Sequence, residues 1–157
     1  MLDPAQDNIT LADGTSLVFR TFCMTDSPKA AVIVPSAMGV AQKFYTQFAQ
    51  WLAQQGYHVT TFDYRGIGFS APRSLRGYPV NIFDWARQDC ATVIDRVKSE
   101  MPNVPLHWVG HSLGGQLFGL IPNHDRIGRV VLVPRFVAEL GRRPDVRYLV
   151  GRRRRWP

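Results

Sequence analysis

Apolar residues along the chain follow two spacings, one typical of buried strands and the other of amphipathic helices. Short continuous apolar runs, such as AAVIVP at 30–35, predict strands that are buried on both faces of a sheet. Between these runs, apolar side chains recur at helical spacing, as Phe44, Phe48 and Trp51 do. The predicted strands are 30–35, 57–64, 106–110 and 129–133, and the predicted helices are 41–55, 81–101 and 111–121.

Two further extended segments precede this series and flank Asp13-Gly14, a dipeptide that suits a tight hairpin turn. Residues 8–22 therefore predict a β-hairpin, which is followed by strands and helices in alternation. Alternation of this kind implies a parallel sheet, because each crossover helix returns the chain to the same end of the sheet. The sequence predicts an α/β fold over residues 1–133, with an N-terminal hairpin and a mostly parallel sheet that carries helices on both faces.

The pattern ends at Pro134, and the charge changes at the same point. Residues 134–157 contain eight arginines, including the run Arg152–Arg155, and two acidic residues, so they carry +6 of the net charge of +7. The preceding residues are close to neutral, and the basic composition therefore says little about the partners of the predicted domain. We expect the Arg-rich segment to be a disordered or non-native tail. Binding of this tail to nucleic acid or to an anionic surface is the alternative, and we expect no nucleic-acid partner for the domain.

The composition excludes several classes of protein. With 45% hydrophobic and 20% charged residues, the chain is neither fully disordered nor fibrous. Its two cysteines, Cys23 and Cys90, are too few and too far apart for a disulfide framework or a CxxC metal site. The N-terminus does not resemble a secretory signal, and no apolar window reaches about 18 residues. We therefore expect a cytoplasmic protein with no membrane partner.

The segment Gly110-His111-Ser112-Leu113-Gly114 matches the motif G-x-S-x-G and lies between a predicted strand and a predicted helix. In this setting the serine occupies a sharp turn that raises its Oγ above the edge of the sheet. Gly110 and Gly114 allow neighbouring backbone to pass closely without a Cβ clash. The helix directs its first amides, including the Leu113 N–H, toward any oxyanion. We interpret Ser112 as a nucleophile; a helix-capping serine in an ordinary turn is the alternative.

Three segments resemble the α/β-hydrolase family in their order and separation over about residues 8–133. They are the elbow GHSLGG (110–115), the segment FDYRGIGFS (62–70), and the strand 30–35 with the loop SAMGV (36–40) that follows it. The resemblance implies that Ser112 attacks a small-molecule ester, thioester or amide. It also implies that the reaction uses no metal and no organic cofactor.

The resemblance further implies a second oxyanion donor in the loop after the strand 30–35. This donor would be the backbone N–H of Ala37 or of its neighbour Met38. Many members of the family have His-Gly where this chain has Pro35-Ser36, and the choice between the two amides stays open for that reason.

In the segment 62–70 the resemblance implies structural rather than catalytic roles. Asp63 would fix the turn, and Arg65 would donate hydrogen bonds to loop carbonyls. Gly66 and Gly68 belong to the same structural loop. The simpler alternative is that Asp63 and Arg65 form an ordinary solvated ion pair.

A serine triad also needs an acid and a histidine, which follow the serine in this family. Only His124 follows Ser112, and it lies in the loop at the opposite end of the predicted sheet, as does Asp125. Glu139 and Asp145 lie in the Arg-rich tail. The sequence therefore predicts a truncated serine hydrolase with impaired catalysis, whose last strand is an edge open to self-association. A non-catalytic module that binds ligands in the oxyanion pocket is the alternative function.

Overall fold

The chain folds first into a β-hairpin, β1 (Ala5–Thr10) and β2 (Ser16–Phe22), in the computed structural model, which describes residues 4–134. The two strands pair antiparallel, with Thr10 opposite Ser16. Gly14 turns the connection with φ +82°, a left-handed conformation that costs glycine little because it has no Cβ. The hairpin predicted around Asp13-Gly14 is therefore confirmed.

The hairpin extends a sheet of four parallel strands. These strands are β3 (Ala31–Val34), β4 (His58–Phe62), β5 (Leu106–His111) and β6 (Arg129–Val133). The order across the six-stranded sheet is β1-β2-β4-β3-β5-β6, and β2 pairs antiparallel with β4. The mostly parallel sheet predicted from the alternation of strands and helices is confirmed.

Helical segments connect the parallel strands and cover both faces of the sheet. A 3-10 turn (Gln42–Tyr45) leads into α1 (Thr46–Gln54), and α4 (Leu113–Gln116) continues as a 3-10 turn (Leu117–Leu120). Between β4 and β5, α2 (Ile82–Asp84), a π-helical stretch (Trp85–Cys90) and α3 (Ala91–Glu100) follow one another without a break. The predicted helix over 81–101 is thus present, with a π-helical middle that 3.6-residue periodicity does not foresee.

The core lies on both faces of the sheet, as β3 illustrates. Ile33 packs into one apolar cluster, while its neighbours Val32 and Val34 pack into the other. Successive side chains of a strand point to opposite faces, so a strand covered on both sides is apolar throughout. The first cluster contains Trp108, the buried residues of α3 and Leu113 of α4, and the second contains the buried residues of α1.

Two sequence predictions about burial are wrong. In α1 and the turn before it, Phe44, Phe48 and Trp51 are exposed, and the buried residues are Gln42, Tyr45, Ala49 and Ala53. The buried stripe lies one position further along the chain, where two small alanines let the helix approach the sheet closely. The strand β6 is largely exposed rather than buried, because it is one of the two edge strands of the described sheet. Self-association through this edge stays a prediction, and the Arg-rich tail lies outside the described residues apart from Pro134.

Candidate active site

Ser112 connects β5 to α4 in a strained conformation. Its backbone has φ +50° and ψ −113°, and it is the one non-glycine residue with positive φ in residues 4–134. Such a conformation costs about 1–3 kcal/mol and persists only where surrounding contacts stabilise it. Here the Ser112 N–H donates to Val133 O at 2.8 Å, and Ser112 O accepts hydrogen bonds from two amides of α4. The sharp turn expected of the motif is present.

Close backbone approaches surround this turn and explain its glycines. A Cβ at Gly110 would lie 2.6 Å from Gly114 O and from two backbone atoms of Gly115. A Cβ at Gly114 would lie 2.7 Å from Pro35 O. The strand, the helix and the loop after β3 therefore pack backbone to backbone around Ser112. The side chain of Trp108 in β5 also contacts this turn, since its Nε1 donates to Gly114 O at 2.9 Å.

The two amides proposed from the loop after β3 differ in what they contact. The Ala37 N–H donates to Tyr45 Oη at 2.9 Å, and Ala37 is buried. Met38 is 63% exposed, and within residues 4–134 its N–H makes no hydrogen bond. The Leu113 N–H likewise has no acceptor in that range, since it is the first amide of α4. Within residues 4–134 the Leu113 and Met38 amides are therefore open to a ligand, and the Ala37 amide is engaged.

Tyr45 also contacts the elbow, and the sequence analysis did not single it out. Its Oη lies 2.8 Å from His111 Nδ1, and the two rings meet edge to face at 5.9 Å between centroids. His111 therefore interacts with the turn before α1. A tyrosine placed one residue from a predicted apolar stripe gives no sequence signal for this contact.

None of the four histidines contacts the Ser112 hydroxyl through a hydrogen bond in the described part of the chain. The sequence has four, and in residues 4–134 none is hydrogen-bonded to Ser112 Oγ. His111 contacts Tyr45, and His124 Nδ1 lies 2.6 Å from Ile121 O. His58 begins β4, at the opposite end of the parallel strands from the elbow, and burial lowers its pKa. His107 Nδ1 is buried in β5 without a partner in the described chain.

The segment after β4 forms a tight loop around the carboxylate of Asp63. This buried carboxylate accepts the N–H groups of Gln42, at 2.7 Å, and of Phe69, at 3.0 Å. Gly68 has φ +50°, and a Cβ there would lie 2.5 Å from Asp63 Oδ2. Gly66 is also left-handed, with φ +80°. Asp63 therefore contacts backbone amides of two loops, and within residues 4–134 Arg65 pairs with Asp13 and Asp89 instead of Asp63; that Asp63 fixes the turn stays a prediction.

Arg65 is buried, and its partners differ from the expected loop carbonyls. Its guanidinium donates to Asp89 Oδ1 at 2.8 Å, to Asp13 Oδ2 at 2.9 Å and to Gln88 Oε1 at 2.9 Å. Asp89 belongs to the π-helical stretch, which turns the carboxylate toward the loop. Burial raises the pKa of Asp89 to about 6, against the opposing effect of Arg65. Burial alone would lower the pKa of Arg65, but Asp89 and Asp13 raise it.

A strained serine between a parallel strand and a helix, at the carboxyl edge of a mostly parallel sheet, defines the α/β-hydrolase fold. A family model described as serine aminopeptidase, S33 (Hydrolase_4) matches residues 26–137. The chain therefore belongs to this family of α/β hydrolases. Across residues 4–134, no helix is both long enough and apolar enough to cross a bilayer.

Several lipases and esterases are similar to the chain. Monoglyceride lipase of Rattus norvegicus is 29% identical over 116 residues, which are 73% of this chain and 37% of that enzyme. Among solved structures, a thermostable carboxyl esterase from Bacillus coagulans matches with a TM-score of 0.71 at 18% identity. A soluble variant of monoglyceride lipase from Saccharomyces cerevisiae matches with a TM-score of 0.69 at 20% identity. Each structural match covers 84% of this chain and 44% of the other, so the chain spans less than half the length of these relatives.

Proposed function

We propose that the chain carries the nucleophile and the oxyanion donors of an acyl-transfer site for carboxylic esters or thioesters. The strained elbow at Ser112 is the observation that supports this function most directly. In the proposed step, Ser112 Oγ attacks the substrate carbonyl carbon while a base takes the hydroxyl proton. The carbonyl π electrons move onto the oxygen, and the Leu113 and Met38 amides donate hydrogen bonds to it. Collapse of this intermediate expels the alcohol or thiol, and water then releases the acid from the acyl-serine.

The substrate class is proposed from the relatives as well as from the site. The similar proteins include lipases, a carboxyl esterase and a thioesterase, which supports an acyl substrate of the ester or thioester type. The step requires a nucleophile, a proton acceptor and hydrogen-bond donors. The proposed site supplies the nucleophile and the donors. Within residues 4–134 no histidine is hydrogen-bonded to Ser112 Oγ, which supports a site that lacks its proton acceptor.

We propose in consequence that the 157-residue chain is a slow enzyme. In a serine hydrolase, loss of the histidine base lowers turnover by about 10⁶-fold, and the remaining rate comes from the oxyanion donors and binding. Imidazole added to the solution can accept the Ser112 hydroxyl proton in place of a histidine side chain. It should therefore restore part of the reactivity of Ser112.

The experiment measures covalent labelling of Ser112 by a fluorophosphonate, with and without imidazole, by intact mass and peptide mapping. We expect negligible labelling alone and labelling at Ser112 that rises with imidazole concentration. Ser112→Ala should abolish it, whereas Ser99→Ala, which removes an exposed hydroxyl of α3, should not.

Two outcomes would contradict the proposal. Fast labelling and ordinary turnover of a p-nitrophenyl ester without imidazole, both abolished by Ser112→Ala, would show that the chain supplies its own base. Absence of labelling at every imidazole concentration would refute the nucleophile and favour the alternative, a module that binds carboxylates or acyl groups at the open amides.

A further inference from the structure

The side chain of Tyr45 joins the loop after β3 to the elbow. Its Oη accepts the Ala37 N–H at 2.9 Å and lies 2.8 Å from His111 Nδ1. Tyr45 is 6% exposed, and burial raises its pKa, so the phenol keeps its proton at neutral pH. The hydroxyl oxygen can accept the Ala37 N–H and still either donate to His111 Nδ1 or accept from it, so the tautomer of His111 sets the direction of the second hydrogen bond. When Tyr45 donates, Nδ1 is the acceptor and the ring proton lies on Nε2.

Apolar surroundings strengthen these two hydrogen bonds. Tyr45 and His111 line a cavity of about 260 Å³. The other residues that line this cavity are all apolar, namely Val34, Phe44, Phe48, Val109 and Val133. Hydrogen bonds in such surroundings are stronger than in water, and no neighbouring polar side chain of the cavity competes for the hydroxyl.

The turn that carries Tyr45 is itself held at its other end. Gln42 begins this 3-10 turn, and Asp63 accepts its backbone N–H at 2.7 Å and its side-chain amide at 3.0 Å. Gln42 Oε1 accepts the Thr61 hydroxyl at 2.9 Å. The turn that carries Tyr45 is therefore held by β4 and the loop after it, in addition to the loop that Tyr45 contacts.

We propose that Tyr45 is a positioning residue that selects the second oxyanion donor. By holding the Ala37 amide, it removes that N–H from the donors available to a ligand and orients the following amide, Met38, toward the elbow. By donating to His111 Nδ1, it fixes the imidazole next to Ser112 in one tautomer. The consequence for Ser112 reactivity rests on the proposed function, whereas the hydrogen-bonded arrangement does not.

The first test is spectroscopic and needs no catalysis. In the wild-type chain at neutral pH, ¹⁵N NMR should show His111 with a proton on Nε2 and an unprotonated Nδ1. Tyr45→Phe should accelerate hydrogen exchange of the Ala37 amide at least about tenfold relative to the other core amides, because it loses its acceptor. Tyr57→Phe is the matched control, since its half-buried ring lies beside Lys29, away from the elbow. A proton on Nδ1 in the wild type, or unchanged Ala37 exchange in Tyr45→Phe, overturns the arrangement.

The second test measures the imidazole-dependent labelling of Ser112. Tyr45→Phe should slow it at least about fivefold at saturating imidazole, with Tyr57→Phe equal to the wild type. A merely structural role would lower the urea midpoint of Tyr45→Phe without slowing labelling under folded conditions, and that result overturns the positioning role. If wild-type Ser112 is unreactive, the proposed function fails. The hydrogen exchange of the Ala37 amide and the tautomer of His111 still test the hydrogen bonds of Tyr45 in that case. If Tyr45→Phe does not fold, the tautomer of His111 in the wild-type chain tests these hydrogen bonds by itself.

Discussion

Replacement of Gly110 by alanine tests the packing of the elbow directly. The new Cβ would lie 2.6 Å from three backbone atoms of Gly114 and Gly115, whereas ordinary contact begins at 3.4 Å. Relief of this overlap requires β5 and the start of α4 to separate by about 0.8 Å, because backbone atoms cannot rotate away as a side chain does. Overpacking of a close contact costs about 1–3 kcal/mol, and we expect Gly110→Ala to lie near the upper end of that range.

Gly119→Ala is the matched control for this prediction. Gly119 lies in the 3-10 turn after α4, and a Cβ there meets nothing within 4 Å. The control should be neutral or stabilise the chain by up to about 1 kcal/mol, since alanine is the better helix former. Urea unfolding followed by circular dichroism gives both free energies of unfolding. Equal midpoints for the two variants would refute the close approach of strand and helix at the elbow.

Two further predictions concern the buried pair of Arg65 and Asp89. Arg65→Met leaves the Asp89 carboxylate without its cation and should lower the free energy of unfolding by about 3–5 kcal/mol in urea at pH 7; a loss under 1 kcal/mol would contradict a buried pair. The raised pKa of Asp89 predicts that the folded chain binds more protons than the unfolded chain between its usual pKa of 3.8 and about 6. The contribution of Asp89 to the free energy of unfolding should therefore fall as pH rises through this window, and urea midpoints across it should change less in Asp89→Asn. An identical pH profile in that variant would refute the shift.

The features that the sequence predicts correctly are those with local causes. Asp13-Gly14 turns the hairpin and the G-x-S-x-G spacing forms the elbow, because the required conformations belong to neighbouring residues. The buried face of α1 has a different cause. A prediction from periodicity places the most hydrophobic side chains, such as Phe44 and Phe48, on the buried face. In the structure the small side chain of Ala49 is buried instead, because the helix packs closely on the sheet.

The partners of Arg65 show why the remaining contacts could not be predicted. Its acceptors Asp13 and Asp89 are 52 and 24 residues away in sequence. Each residue of an α-helix turns the chain by about 100°, so a π-helical stretch changes which face every later side chain occupies. A periodicity of 3.6 residues across 81–101 therefore cannot indicate that Asp89 points to the loop after β4. The contact of Tyr45 with Ala37 and His111 is equally non-local.

The G-x-S-x-G motif predicts the strained conformation of Ser112 from neighbouring residues, but residues distant in sequence stabilise it. Its N–H is held by Val133 O at the end of β6, and the neighbouring Gly114 packs on Pro35 after β3. Because β6 is a largely exposed edge strand of the described sheet, the geometry of the elbow depends on one of the least protected strands. Anything that covers the outer edge of β6 would therefore stabilise the Ser112 turn as well. The backbone conformation of Ser112 and the stability of this edge are thus linked through the hydrogen bond from the Ser112 N–H to Val133 O.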